Sequence, residues 1–212
     1  MRFPDRPAAG ELLGTLVNEA NPADPVVLAL PRGGVPVGYE VASALGCQMD
    51  VLVVRKLGVP TQPELAMGAI GEGGVTIRND RVVDIARIDE DEFHSVLLAE
   101  RAELDRRVTN YREVVDPIDP VGCTAVIVDD GLATGSTAAA GIAVVRQREA
   151  EAVWLAVPVA PLETVREMER LADRVLVLEQ PGSFGSVGAW YRDFRQTGDP
   201  EVRKLLQDSR LR

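Results

Sequence analysis

Continuous apolar, β-branched runs constrain this chain more than any other feature. They are Pro25-Val-Val-Leu-Ala-Leu30, Asp50-Val-Leu-Val-Val-Arg55, Cys123-Thr-Ala-Val-Ile-Val128, Ala152-Val-Trp-Leu-Ala-Val157 and Arg174-Val-Leu-Val-Leu178. A strand with one wet face alternates apolar and polar residues. These runs do not alternate, so they suit strands buried on both faces, as in a parallel sheet. Helical patterns over 35–45, 136–147 and 162–172 fall between them. Strand–helix–strand order predicts an α/β fold with a doubly wound, mainly parallel sheet and right-handed crossovers. Ligands of such sheets bind beyond the carboxyl ends of the strands, so the residues that follow each run are the ones to read for chemistry.

Two stretches depart from the alternation. Residues 89–112 are charged and helical in pattern, with Leu97, Leu98, Leu104 and Val108 on an apolar side, and read as part of a helical insertion at about 80–115. Residues 180–199 are rich in glycine and aromatics, lack a period, and read as a small C-terminal hood. A length of 212 residues suits one domain with both additions, spanning 1–212. The net charge of −10 repels a phosphate backbone at long range and argues against a general nucleic-acid binder. It leaves room for a small phosphorylated ligand held by a few N–H groups and cations. Cys47 and Cys123 adjoin apolar runs outside any C-x-x-C pair, which favours reduced packing cysteines over a disulfide or metal site. The opening Met1-Arg-Phe-Pro-Asp-Arg6 lacks the apolar stretch of a signal peptide, and no run could span a bilayer, so a cytoplasmic protein without membrane partners is expected. His94 is the single histidine; it lies in an acidic stretch that reads as the first turns of a helix, so a Ser-His-Asp or multi-histidine zinc site is not expected.

The third run carries the chemistry. Val126-Ile-Val-Asp129-Asp130 ends a buried strand in two adjacent carboxylates, and Gly131-Leu-Ala-Thr-Gly135-Ser-Thr137 turns into a helix. The glycines allow successive N–H groups to face one anion, and the helix start adds unsatisfied N–H groups and a positive dipole end. Hydroxyls of Thr134, Ser136 and Thr137 complete a cup suited to a phosphate monoester. The acidic pair beside it could accept from vicinal sugar hydroxyls or hold a hydrated Mg²⁺. A plain strand, turn and Ser/Thr cap explains the glycines but not the acids, which repel one another unless something cationic or hydroxylic meets them. There is no Gly-Lys-Ser/Thr of a Walker loop and no dinucleotide fingerprint here.

This segment resembles the ligand signature of type I phosphoribosyltransferases: apolar strand, two acids, small residues, Thr-Gly, Ser/Thr. The resemblance implies 5-phosphoribosyl-1-pyrophosphate as ligand and Mg²⁺ as cofactor. It assigns Asp129 and Asp130 to the ribose hydroxyls, with metal held mainly through water or ligand. It assigns Ala133, Thr134, Gly135, Ser136 and Thr137 to the 5′-phosphate. Some members carry a proposed base at the position of Ala133, a role absent here. Leu30-Pro31-Arg32-Gly33-Gly34 follows the first strand and matches the family's pyrophosphate loop, which often contains a strained or cis peptide. Arg55-Lys56 follows the second run and matches the Arg-Lys whose lysine reaches pyrophosphate. The stretch 60–70 is then the equivalent of the family's mobile loop, where Glu64 is either a carboxylate near the base or a loop-stabilising, solvated one. Phe3-x-Asp5-Arg6, Pro-Arg-Gly-Gly-Val-Pro-Val, Arg-Lys-x-Gly-x-Pro and Val-Gly-x-Trp-Tyr-x-Asp-Phe are together similar to one bacterial branch of the family. Phe184, Trp190 and Tyr191 lie in the aromatic-rich tail and are either base-stacking residues of a hood or packing residues that seat the tail on the core or on a dimer partner. The implied reaction is transfer of ribose 5-phosphate to a base; a regulatory protein sensing the same ligand on the same fold, and a generic sugar-phosphate binder or phosphorylase, are the rival readings.

Overall fold

The computed structural model describes residues 2–211. Asp5 starts helix α1 (Arg6–Glu19) by accepting from the Ala8 N–H at 2.9 Å. Strand β1 (Pro25–Ala29), helix α2 (Gly34–Leu45) and strand β2 (Met49–Val51) follow. An antiparallel ribbon comes next, made of β3 (Val54–Val59), β4 (Gln62–Gly71) and β5 (Thr76–Arg78). Helices α3 (Asp80–Ala86) and α4 (Glu90–Arg112) lead to β6 (Thr124–Val128). Then α5 (Ser136–Gln147), β7 (Ala152–Val159), α6 (Leu162–Met168) and β8 (Arg174–Glu179) alternate. A 3₁₀ turn (Val187–Trp190) and α7 (Asp199–Arg210) end the chain.

The five-stranded sheet runs β2-β1-β6-β7-β8, every pair parallel. Alternate residues of each strand feed opposite cores, which is why the apolar runs do not alternate. Val27, Ala29, Val126 and Val128 join Leu13, Val17 and Val41 of α1 and α2 on one face. Leu28, Ile127 and Leu155 join Ala138, Ile142, Val145 and Val165 of α5 and α6 on the other. From β1 the chain crosses over α2 to β2 on one side, and from β6 over α5 to β7 on the other. The order therefore reverses between β1 and β6, and the crevice beyond their carboxyl ends is where ligand loops gather.

The sequence expectations need two corrections here. The run 50–55 is not one strand: Leu52 makes the last ladder bond, donating to Ala29 O at 2.8 Å, and Val54 then enters the antiparallel ribbon, paired with Gly71. Leu52 and Val53 are buried in different cores, so the apolar pattern continues through a change of sheet and hides it. Arg55 and Lys56 accordingly lie inside β3, not at the end of a core strand. The stretch 60–70, expected as a mobile loop, pairs as most of β4. Gly58, Pro60 and Pro63 break the period there. Register shifts flank Gly58, where a Cβ would lie 2.6 Å from Pro63 O. The helices α1 and α7, for which no expectation was formed, both pack against α2, α1 toward β7 and β8 and α7 toward the edge strand β2. No helix among the described residues is long and apolar enough to cross a membrane. His94 is exposed on α4, and both cysteines are free, with burial pushing the Cys47 thiol up to about 11.

One buried carboxylate ties α4 to the sheet. Asp50, 1% exposed, accepts from Arg112 Nη1 at 2.8 Å, from the Ile118 N–H at 2.9 Å and from the Val51 N–H at 2.7 Å. Arg112 also grips Glu72 at the end of the ribbon through Nε and Nη2. Removing one partner of such a group strands the others in a dry site. Asp50→Ala is therefore expected to lower unfolding free energy by about 3 kcal/mol in a denaturant titration; a change below ~0.5 kcal/mol, the range of ordinary surface substitutions, would contradict the staple.

Candidate functional site

The acidic pair sits where β6 leaves the sheet. Asp129 Oδ1 accepts from the Asp130 N–H at 2.9 Å. Both residues are half-buried, and the Asp130 side chain is 14% exposed. Burial and the adjacent Asp130 charge push the Asp129 carboxyl well above its ordinary range. Burial also raises Asp130, against the opposing pull of Arg6. The pair is thus electrostatically unfavourable as it stands, and a hydroxylic or cationic ligand would relieve it.

The turn after the pair is closely packed from behind. Gly135 sits at φ +71, a conformation that L side chains resist. A Cβ there would also lie 2.9 Å from Thr164 Cγ2 and 3.1 Å from Met168 Cε. Thr164 Oγ1 donates to Ala133 O at 2.7 Å, so α6 pins the cup from behind. Thr134 Oγ1 and Ser136 Oγ lie 3.1 Å apart, and Ala133, Thr134 and Thr137 are exposed. The first N–H groups of α5 have no intrahelical acceptor, and that of Ser136 meets Thr134 Oγ1 at 3.5 Å. Thr164 was not singled out in the sequence; a threonine thirty residues away carries no local signal of such a bond.

A cavity of about 480 Å³ adjoins the cup and is lined by Pro31, Arg55, Lys56, Glu64, Arg107 and Thr137, among others. Thr137 belongs to both cup and cavity. The two cations expected at a strand end thus line this cavity from the ribbon instead. Lys56 Nζ donates to Glu64 Oε2 at 3.2 Å, and Arg55 is held by Glu100 of α4 at 2.6 Å. Glu64 is exposed at the lip, its side chain 81% accessible. Arg107 is a cation the sequence reading missed. Its signal was there: Val96, Glu100 and Arg107 recur on one face of α4. The 31–34 loop has a cis Pro31–Arg32 peptide. Its glycines are needed for packing, since a Cβ on Gly34 would lie 2.6 Å from Val128 O, and one on Gly33 would meet the Asp130 carboxylate. Pro31 lines the cavity, while Arg32 leans toward Asp199 of α7, 3.9 Å away.

The tail lies beside the acids, not across the sheet. Val187 packs where a Cβ on Gly131 would fall, 2.7 Å from its Cγ1. Of the two readings of Tyr191, burial favours packing: it is 4% exposed, its ring centroid lies 5.5 Å from that of Phe3 and 5.1 Å from that of Phe194, and its hydroxyl donates to Asp130 O at 2.6 Å. So enclosed, it braces the backbone of the acidic pair. Phe184 and Trp190 are half-buried and joined by a bond from Trp190 Nε1 to Phe184 O at 3.1 Å. Arg6, noted in the sequence only as part of a branch pattern, donates from Nε to Asp130 Oδ2 at 2.7 Å.

A family model described as a phosphoribosyl transferase domain matches residues 7–188. A protein of Mycobacterium tuberculosis named "Putative phosphoribosyl transferase Rv0571c" is 48% identical over 204 residues, which are 96% of this chain but 46% of that protein. The chain thus spans about half the length of the curated relatives it matches. The crystal structure of TT1426 from Thermus thermophilus superposes with a TM-score of 0.93 at 40% identity, covering 98% of this chain and 99% of that one. A hypoxanthine-guanine phosphoribosyltransferase from Bacillus anthracis shares the fold alone, with a TM-score of 0.50 and 10% identity over 86% of this chain and 84% of that one.

The raised carboxyl sets a pH signature. A carboxyl whose pKa is higher folded than unfolded binds its proton more tightly in the native state, so stability falls as pH rises from the unfolded value through the folded one. Asp129→Asn removes that penalty. The variant should melt above the wild type at pH 7, with the gain vanishing below about pH 4, where the carboxyl is protonated in both states. Thermal melts across pH read this, and an Asp129→Asn variant less stable than wild type at pH 7 would refute the electrostatic account.

Proposed function

We propose a function for this chain, which belongs to the phosphoribosyltransferase family: it transfers ribose 5-phosphate from 5-phosphoribosyl-1-pyrophosphate to a nitrogenous base and releases pyrophosphate. One observation carries the reading. The acidic pair, the N–H and hydroxyl cup, and the cation-lined cavity meet at one sheet edge, with Thr137 common to the last two. A sugar phosphate bearing a second anionic group needs all three at such spacing, and a plain phosphate binder needs only the cup.

In this reading the C1–oxygen bond to pyrophosphate breaks as a ring nitrogen bonds to C1 from the opposite face. Positive charge grows on the ribose ring and negative charge on the leaving group. Cup residues Ala133 to Thr137 hold the 5′-phosphate, and Asp129 and Asp130 hold the vicinal hydroxyls, fixing the ring for in-line attack. Lys56, Arg107 and Arg55 face the leaving group, with Pro31 of the neighbouring loop at the cavity wall and Arg32 turned toward Asp199. Glu64, tethered to Lys56, is the carboxylate nearest to a base-side role, and half-buried Phe184 and Trp190 are the candidates for covering the acceptor. The donor set fits Mg²⁺ only in company. No cluster of three or more His, Cys, Asp or Glu side chains able to hold a metal occurs among the described residues, so Asp129 and Asp130 would share the ion with ligand oxygens and water. Bound there, Mg²⁺ would supply positive charge to the pyrophosphate.

The test is pyrophosphate release with a panel of purine and pyrimidine bases, beside calorimetry of ligand binding. Binding with turnover is expected, and Asp129→Asn/Asp130→Asn should abolish turnover. Tight binding without turnover of any base would favour the sensor reading. Lys56→Ala should weaken pyrophosphate by roughly ten-fold or more, the scale of one charge-assisted hydrogen bond, and leave ribose 5-phosphate nearly unchanged. Equal losses for both ligands would remove Lys56 from the leaving-group side.

A further inference from the structure

Arg6 breaks a local rule. It is the first residue of α1, where the helix dipole disfavours a cation. A residue placed against its local preference is compensated elsewhere, and here the compensation is complete. Its side chain is only 10% exposed. Nε donates to Asp130 Oδ2 at 2.7 Å, and Nη1 donates to Arg195 O at 2.6 Å. The guanidinium carbon lies 3.9 Å from the centroid of the Phe194 ring. One planar group is thus fixed at an edge, at a tip and on a face, by the acid, by a backbone carbonyl and by an aromatic ring.

The supports of this arrangement come from the two ends of the described chain. Phe3 N–H donates to Trp190 O at 2.8 Å, Arg192 N–H to Phe3 O at 2.8 Å, and Asp193 N–H to Pro4 O at 2.9 Å. This pairing zips the segment before α1 to the tail that carries Phe194 and Arg195. From below, Tyr191 donates to Asp130 O. Asp130 is therefore held through its side chain by Arg6 and through its backbone by Tyr191. Arg6 takes Oδ2 and leaves Oδ1 outside its own hydrogen bonds.

We propose that Arg6 is a positioning residue for the sugar: by holding one oxygen of Asp130, it presents the other in a single orientation to a ribose hydroxyl. This rests on the sugar-phosphate reading of the site. Among the described residues Arg6 makes no hydrogen bond or ion pair to the phosphate cup, so the assignment separates two affinities that a merely structural role would move together. Loss of Arg6 should weaken ribose 5-phosphate and leave inorganic phosphate unaffected.

The experiment is calorimetry of ribose 5-phosphate and inorganic phosphate on wild type, Arg6→Gln and Arg6→Lys, with a thermal melt of each. Wild type is expected to prefer ribose 5-phosphate. Arg6→Gln should lose roughly ten-fold of that preference, the scale of one hydrogen bond to a charged group. Arg6→Lys, which keeps the charge without the planar fork, should recover part of it. A folded Arg6→Gln that keeps the full preference overturns the assignment. A wild type without any preference brings down the sugar-phosphate reading and this assignment with it. If Arg6→Gln fails to fold, Arg6→Gln/Asp130→Asn removes the stranded carboxylate as well and is compared with Asp130→Asn alone. Equal ribose preference in those two variants supports action through Asp130, and a further loss in the double variant overturns it.

Discussion

Two carboxylates on consecutive residues at the end of a buried strand repel each other in a poorly solvated place, and much of this molecule is arranged around that fact. β6 is flanked by β1 and β7, and its five residues are buried, so the strand cannot shift to move the acids apart. Asp129 is left with a strongly raised carboxyl, and Asp130 is met by a guanidinium and braced by a tyrosine hydroxyl. Gly33 and Gly34 let the neighbouring loop press against the same corner. An unfavourable pair retained at this expense is better explained by a ligand than by stability, since burial of paired acids does nothing for the fold.

The overall charge of −10 and the cationic cavity are not in conflict. Long-range repulsion is screened over about 8 Å at physiological salt, so an anionic ligand within the crevice responds to the groups next to it. There Lys56, Arg55 and Arg107 converge from two elements outside the core sheet, the ribbon and α4. The additions to the parallel sheet thus furnish the cations, and the sheet itself furnishes the acids and the cup.

How much of this was legible in the sequence follows from the range of each interaction. The core strands and the cup are local: Val126 to Thr137 is one strand, one turn and one helix start, and its periodicity and glycines declare it. The ribbon was misread because Leu52 and Val53 stay apolar while passing from one core to the other. The prolines near 60 look like loop residues until cross-strand pairing is known. Tyr191 stayed open between stacking and packing, because nothing in its neighbourhood reveals that Phe3, 188 residues earlier, would lie 5.5 Å from its ring. Arg6 and Thr164 act over 124 and 31 residues, distances at which residue type carries no address. Arg6 did leave a trace, as a cation at the wrong end of a helix.

The central claim is that the acids and the cup hold opposite ends of one sugar phosphate. A crystal structure grown with 5-phosphoribosyl-1-pyrophosphate and Mg²⁺ tests it most directly. The account predicts the 5′-phosphate on the N–H groups and hydroxyls of Thr134 to Thr137, the ribose hydroxyls against Asp129 and Asp130, and the pyrophosphate toward Lys56 and Arg107. A ligand bound with its sugar turned away from the acidic pair, or seated at another edge of the sheet, would contradict it.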